Sequence, residues 1–276
     1  MTSALEDLDA RPGSTTSMVR TIVGLYIREL GDWISTAHLV SLMGELGFNA
    51  QVTRTALSRL KKKGIIEPQL LNGFSGFALT LPGKQMLARG DRRIFNPRSM
   101  SNTDSWCLLS YSIPESQRER RHQLRRHLSG IGGGLVSPGL WIFPAYLRDE
   151  VWEILQALEL HEHATVFIAS PPESTGPPLE SARAWWDLDV LAELHCCFIS
   201  LNDPVAHDSE STPAQSFVFY INAIDSWRQI PYLDPGLPSY FLPVDWPGHR
   251  SAEIFLRIQA RHAESALAFV RSAANY

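Results

Sequence analysis

Apolar residues in the first third of this chain recur at helical spacing, and then they give way to short alternating runs. Val19, Ile22, Val23, Tyr26, Ile27 and Leu30 are separated by 3, 1, 3, 1 and 3 positions, which predicts a helix with one buried stripe over residues 18–30. Gly31 supplies its stop. A second helix carries Leu39, Leu42, Met43 and Leu46, with Ser35 or Thr36 as its cap and Gly47 as the turn that follows. A third starts at Asn49, is expected to bury Val52, Ala56, Leu57 and Leu60, and ends at Gly64.

The opposite face of the third helix is continuous and polar. Gln51, Arg54, Thr55, Ser58, Arg59 and Lys62 fall on it, and Lys61 and Lys63 flank it. Arginine grips guanine edges bidentately, glutamine matches adenine, and Ser, Thr and Lys hold phosphates, so such a face suits a major groove. A merely solvated face is the competing reading. The next segment, "IIEPQLLNGFSGFALT", reads as two strands around Asn72-Gly73, the dipeptide favoured in two-residue hairpins. Pro68 restricts the first strand to a sheet edge. Two helices, a basic helix and a hairpin make a winged helix-turn-helix. In that arrangement Asn72, at the hairpin turn, joins the helix residues as a DNA contact. The run "LPGKQMLARGDRRIF" adds a short helix leading into a basic linker.

From about residue 103 the pattern changes. "WCLLSYSIP" is a strand, "ESQRERRHQLRRHLSGI" a helix, "GGGLVSPGLWIFP" two strands about a turn, "RDEVWEILQALEL" a helix and "ATVFIAS" a strand. The order β-α-β-β-α-β is ferredoxin-like. Arg118, Arg120, Arg121, Arg125 and Arg126 form a second basic cluster on its first helix. They fit either a solvated face balanced by Glu115 and Glu119 or contact with the phosphates of DNA or coenzyme A. After a linker, "PPESTGPP", come a helix from about Leu179 to Leu201, a second around Phe217–Ile224, a Pro-dense run and a long final helix. The fold class is therefore α+β. The expected parts are a mobile tail (1–17), a winged-helix DNA-binding domain (18–98), a ferredoxin-like middle domain (99–172) and a mostly helical C-terminal domain (178–276).

Charge sharpens this division. The chain is acidic overall, with a formal net charge of −4. Residues 18–98 nevertheless hold about 12 Lys/Arg against 5 Asp/Glu, roughly +7, and the remainder is roughly −11. Five of those cations lie between Phe48 and Ile66. A basic first domain on an acidic body fits a polyanion partner. The 44% hydrophobic content suffices for a core, and no run of about 18 apolar residues suggests a membrane span. The start of the chain lacks the basic and apolar regions of a secretory signal. Three cysteines, two of them adjacent, do not form a disulfide framework, so a cytoplasmic location is expected.

Enzymatic motifs are missing. There is no phosphate-binding glycine loop, nucleophile elbow or zinc-protease motif. "HEH" at 161–163 and "HCC" at 195–197 do not have the spacing of a tetrahedral metal site. No metal, cofactor or catalytic residue is expected.

Three stretches carry a family resemblance. "LGFNAQVTRTALSRLKKKGII" with its hairpin, "LPGKQML" and "RRIF" resembles the N-terminal domain of the PaaX family, the repressors of phenylacetic acid degradation and their relatives. "WRQIPYLDPGLP" through "YFLPVDWPGHRSAEIF" resembles the family's C-terminal region, in the same order. The middle segment resembles the small CRISPR-associated nucleases, a domain that PaaX-like repressors also carry. Those nucleases hold metal with an Asp at the end of the first strand. Here that place is Ser112, which lacks the charge to hold a divalent ion, so a structural or dimerising domain is expected in preference to a metal-dependent nuclease, the alternative reading. The resemblance implies a cytoplasmic repressor of an aromatic-compound catabolic operon. It would bind double-stranded operator DNA as a homodimer without membrane association, under the control of phenylacetyl-coenzyme A, a related aryl-coenzyme A thioester or another aromatic metabolite. Trp185, Trp186 and Arg228 are the candidate effector contacts, the tryptophans for the aryl group and the arginine for a carboxylate or phosphate. Core packing for the tryptophans, and an ion pair with Asp225 or Asp234 for the arginine, are the structural alternatives.

Overall fold

The computed structural model describes residues 11–173, 176–206 and 210–273. Most of the tail predicted for residues 1–17, namely 1–10, lies outside them. The first helix, α1 (Thr15–Tyr26), begins three residues before the predicted start because Ser14 caps it, its Oγ accepting from the Ser17 amide. After the turn at Gly31 and Asp32, both at positive φ, a short strand β1 (Trp33–Ser35) precedes α2 (Thr36–Glu45) and α3 (Ala50–Lys62). Ser35 caps α2, its Oγ accepting from the His38 amide at 3.0 Å. The hairpin is β2 (Ile66–Leu71) and β3 (Phe74–Leu79), closed by Asn72 and Gly73 in the left-handed region as a two-residue turn requires. The sheet order is β1-β3-β2, which leaves Pro68 on an edge strand where its missing donor costs no ladder bond. α4 (Leu81–Ile94) follows, capped by Thr80.

The middle segment folds as β4 (Trp106–Tyr111), α5 (Arg118–Gly130), β5 (Gly134–Ser137), β6 (Leu140–Pro144), α6 (Arg148–Ala157) and β7 (Ala164–Ala169). Its antiparallel sheet runs β5-β6-β4-β7. Alternation along β4 and β6 splits the side chains between two cores. Cys107, Leu109, Trp141 and Phe143 pack with Leu124, Leu128, Val151 and Leu155 of α5 and α6. Trp106 and Ile142 point the other way, onto residues of the C-terminal segment.

That segment contains α7 (Pro178–Trp185), α8 (Leu188–Ala206), α9 (Pro213–Trp227), a four-residue α10 (Ile230–Leu233) and α11 (Gly248–Ala273). The single helix expected from about Leu179 to Leu201 is broken at Trp186, which is extended. The break turns the indole inward. Its Nε1 donates to the Gly132 carbonyl at 2.9 Å, and Asp187 restarts the helix by accepting from the Val190 amide. The division between 18–98 and 178–276 is not a division of cores. Ile22, Leu39, Leu57 and Leu60 belong to the same buried cluster as Phe217, Ile221, Phe255 and Ile258.

Buried histidines give this fold a pH dependence. Burial lowers the pKa of His38, against a bond to the Val270 carbonyl, and lowers that of His127, with Arg126 adding repulsion. The unfolded chain therefore binds these protons more readily than the folded one. The stability they contribute is fully present above the ordinary histidine value of about 6.5 and is lost as pH falls below it. The urea midpoint is expected to drop between pH 7 and pH 5; a midpoint unchanged over that range would contradict it.

Candidate nucleic-acid interface

Asn49 fixes the start of α3, its Oδ1 accepting from the amides of Gln51 and Val52 at 3.0 and 3.1 Å. The buried stripe is Thr53, Ala56, Leu57 and Leu60. Val52, predicted to be buried, is instead 38% exposed. Thr53 takes the inner position because its hydroxyl donates to the Asn49 carbonyl, and a residue one place earlier turns about 100° away. Gln51, Arg54, Thr55, Ser58, Arg59, Lys61 and Lys62 are all exposed, and Lys63 is the half-buried C-cap.

The hydroxyls of Thr55 and Ser58 donate to the carbonyls of Gln51 and Arg54, so the middle of this face is short and rigid. Arg59 reaches Thr16 at the start of α1 with Nη1 at 3.3 Å. Arg54, Lys61 and Lys62 have no carboxylate partner among the described residues. Cations left without local neutralisation on a rigid helix face favour an anionic polymer over a purely solvated role. Asn72 is exposed at the hairpin tip, beside exposed Leu70, Leu71 and Phe74. Its positive φ of 50° accounts for its identity as a turn residue.

Trp185, Trp186 and Arg228 do not form one site. Trp186 is 6% exposed and packs with Trp106 and Trp185, whose ring also meets Phe241. Both tryptophans belong to the contact between the middle sheet and the C-terminal segment. Arg228 lies instead beside α1. Its Nε donates to Asp225 at 3.3 Å and its Nη2 to Ser17 Oγ at 2.7 Å.

Two arrangements were not anticipated from sequence. Arg93 on α4 is buried against Glu150 of α6 at 2.9 Å, donates to the carbonyls of Ile131 and Pro231, and lies over the Tyr232 ring. His195 sits between Ser251 Oγ at 2.5 Å and Asp234 Oδ2 at 2.8 Å. Although these are the residue types of a hydrolytic triad, Ser251 is fully buried, so the arrangement clips α8 to α11.

Three models of one family match the chain in order. The PaaX-like protein model covers residues 14–80, the PaaX protein central Cas2-like domain residues 100–181, and the PaaX-like protein C-terminal domain residues 186–272. The chain belongs to the PaaX family. It is 27% identical over 271 residues to the transcriptional repressor PaaX of Escherichia coli K12, covering 95% of this chain and 85% of that protein. A solved structure, the uncharacterized protein Rv0674 from Mycobacterium tuberculosis, matches with a TM-score of 0.59 at 20% identity, covering 94% of this chain and all of the other. That likeness is one of fold. Within the Cas2-like segment of this PaaX-family chain, Ser112 follows β4 and its amide donates to the His163 carbonyl. Among the described residues no three His, Cys, Asp or Glu side chains gather as metal ligands. The arginines of α5 lie along its exposed side, where Arg120 pairs with Glu159 and Arg121 with Glu115.

Proposed function

We propose that this protein is a sequence-specific DNA-binding transcriptional repressor and not an enzyme. The outward face of α3 carries the reading: exposed Arg54, Arg59, Lys61 and Lys62 interleaved with short polar side chains on a helix whose other face is locked into the core. In this reading α1 to β3 form a winged helix-turn-helix and the middle segment, with its β5-β6-β4-β7 order, is ferredoxin-like. Gln51, Arg54, Thr55, Ser58 and Arg59 meet base edges, Lys61, Lys62 and Lys63 meet phosphates, and Asn72 approaches the backbone from the hairpin. One helix reads only a few base pairs, so a homodimer on a pseudo-palindromic operator doubles the contacts. The name of the Escherichia coli relative supports repression, and the family resemblance of the sequence implies an operon for aromatic-compound catabolism controlled by an aryl-coenzyme A thioester or related aromatic metabolite.

Arg54→Ala and Arg59→Ala are each expected to weaken operator binding by about 1–3 kcal/mol while leaving the circular dichroism spectrum unchanged. Lys62→Ala should lower affinity for all sequences alike and flatten the salt dependence. Fluorescence anisotropy on an operator located by footprinting measures both effects. Unchanged affinity in both arginine variants would remove α3 from the interface.

A further inference from the structure

A cleft of about 880 Å³, including the open solvent at its mouth, lies where α4 and the linker after it meet the middle and C-terminal segments. α4 and the linker after it supply Arg92 and Arg98, the middle segment supplies Tyr146, and the C-terminal segment supplies Trp227, Trp246 and His249. The inner walls are aromatic and aliphatic, with Leu237 and Leu242 beside those rings. The linker does not swing freely here: the Met100 amide donates to the Gly236 carbonyl at 2.8 Å, and the Arg98 guanidinium lies 5.2 Å from the Tyr146 ring centroid. At Gly236 a Cβ would fall 1.9 Å from the Arg98 carbonyl oxygen, so only glycine permits this approach.

Charge is unbalanced in the cleft. Its two lining carboxylates are already committed, Glu150 to Arg93, and Asp234 to His195 and the Gly236 amide. Arg92, Arg98 and His249 are exposed at the lining and have no carboxylate partner among the described residues. An apolar aromatic interior with unneutralised arginines selects a molecule with an aryl body and an anionic end.

We propose that this cleft, and not the Trp185–Trp186 pair, binds a small aromatic molecule bearing a carboxylate or phosphate. Arg92 and Arg98 hold the anion, and Tyr146, Trp227 and Trp246 enclose the ring. Such a ligand touches α4 and its linker, the middle segment and the C-terminal segment at once, so its binding energy sets how α4, and through the shared core α3, sits against the middle segment. That regulatory consequence rests on the DNA-binding reading above; occupancy of the cleft does not.

The full-length chain is titrated by calorimetry and tryptophan fluorescence with phenylacetate, phenyl phosphate, phenylacetyl-coenzyme A, coenzyme A and uncharged benzyl alcohol. An aromatic anion is expected to bind with a change in tryptophan emission. In the Arg92→Ala/Arg98→Ala double variant its affinity should fall at least tenfold, whereas Arg183→Ala should retain it. Phenylacetate or phenyl phosphate binding as tightly as the thioester places recognition in the aryl anion, and a stronger thioester places the second anion on the coenzyme phosphates. Either result supports the site. No binding of any aromatic anion at millimolar concentration would overturn it, as would equal affinity in a double variant with wild-type circular dichroism. Coenzyme A or benzyl alcohol matching the best probe would also overturn it. Arg54→Ala should leave these affinities unchanged, so a failure of the DNA reading stays distinguishable from a failure of this one.

Discussion

Asp225→Ala is expected to lower the stability of the folded chain by about 3–5 kcal/mol, the cost of leaving a buried charge without its partner. Asp225 is 1% exposed on α9. Its carboxylate accepts from the Gly13 amide at 2.7 Å, Ser17 Oγ at 2.5 Å, Thr21 Oγ1 at 2.9 Å and Arg228 Nε at 3.3 Å. Three of those donors belong to α1 and the residue before its cap, so the carboxylate fixes α1 to the C-terminal helices. Removing it strands the Arg228 guanidinium, itself 6% exposed, and two hydroxyls whose other bonds do not replace a carboxylate. Asp225→Asn keeps the shape and two acceptor lone pairs but not the charge, and it should fall between wild type and alanine. Urea unfolding followed by circular dichroism measures the difference. A loss below about 1 kcal/mol in Asp225→Ala would show that water takes over the carboxylate's role. α1 packs on α3, so the same variant should also weaken the proposed DNA binding without altering a side chain on the exposed face of α3.

The first segment was legible because its signals are local. Asn49, Ser35 and Thr80 cap helices with their own side chains, and Asn72-Gly73 closes a two-residue turn, so neighbours in sequence decide the structure. The exposed side of α3 followed from its periodicity for the same reason. On the inner side Ala56, Leu57 and Leu60 are buried as expected, and only the first position differs, Thr53 replacing Val52 because it hides its hydroxyl on the helix backbone and behaves as an apolar residue. The break at Trp186 was not legible, since the bond that pulls it inward goes to Gly132, 54 residues away. Arg228 shows a partial success: pairing with Asp225 was one of its two structural readings, and an i,i+3 spacing on a helix makes that pair visible. A better signal was available in "FYINAIDSW". An acid four places after buried Ile221 must point into the core, and a buried acid needs partners.

That the first and C-terminal segments share one core was not legible in the sequence. Both end segments have amphipathic helices, and an apolar stripe does not record which helix covers it. The C-terminal segment meets the middle sheet through an apolar cluster, whereas α4 meets the middle segment through the buried Arg93–Glu150 pair, and this sets the second large expectation. Arg93→Ala should cost about 3 kcal/mol, because it leaves Glu150 partly buried without its cation and the Ile131 and Pro231 carbonyls without their donor. The guanidinium makes these contacts with different nitrogens, Nη1 to Pro231 and Nη2 to Ile131 and Glu150, and it also faces the Tyr232 ring. Lysine offers one point charge in place of that planar fork, so Arg93→Lys should recover less than half of the loss. Glu150→Gln tests the same junction from the middle segment. If the pair acts as one unit, the double variant Arg93→Ala/Glu150→Gln will lose less than the sum of the singles, a coupling measured by a double-mutant cycle in urea unfolding. Additive losses would mean that Arg93 holds the junction through the two carbonyls alone. The functional consequence separates this residue from Asp225. Arg93 lies on the helix that follows the hairpin and itself lines the proposed cleft, so its loss should weaken any effect of ligand on DNA affinity more than it weakens DNA affinity itself.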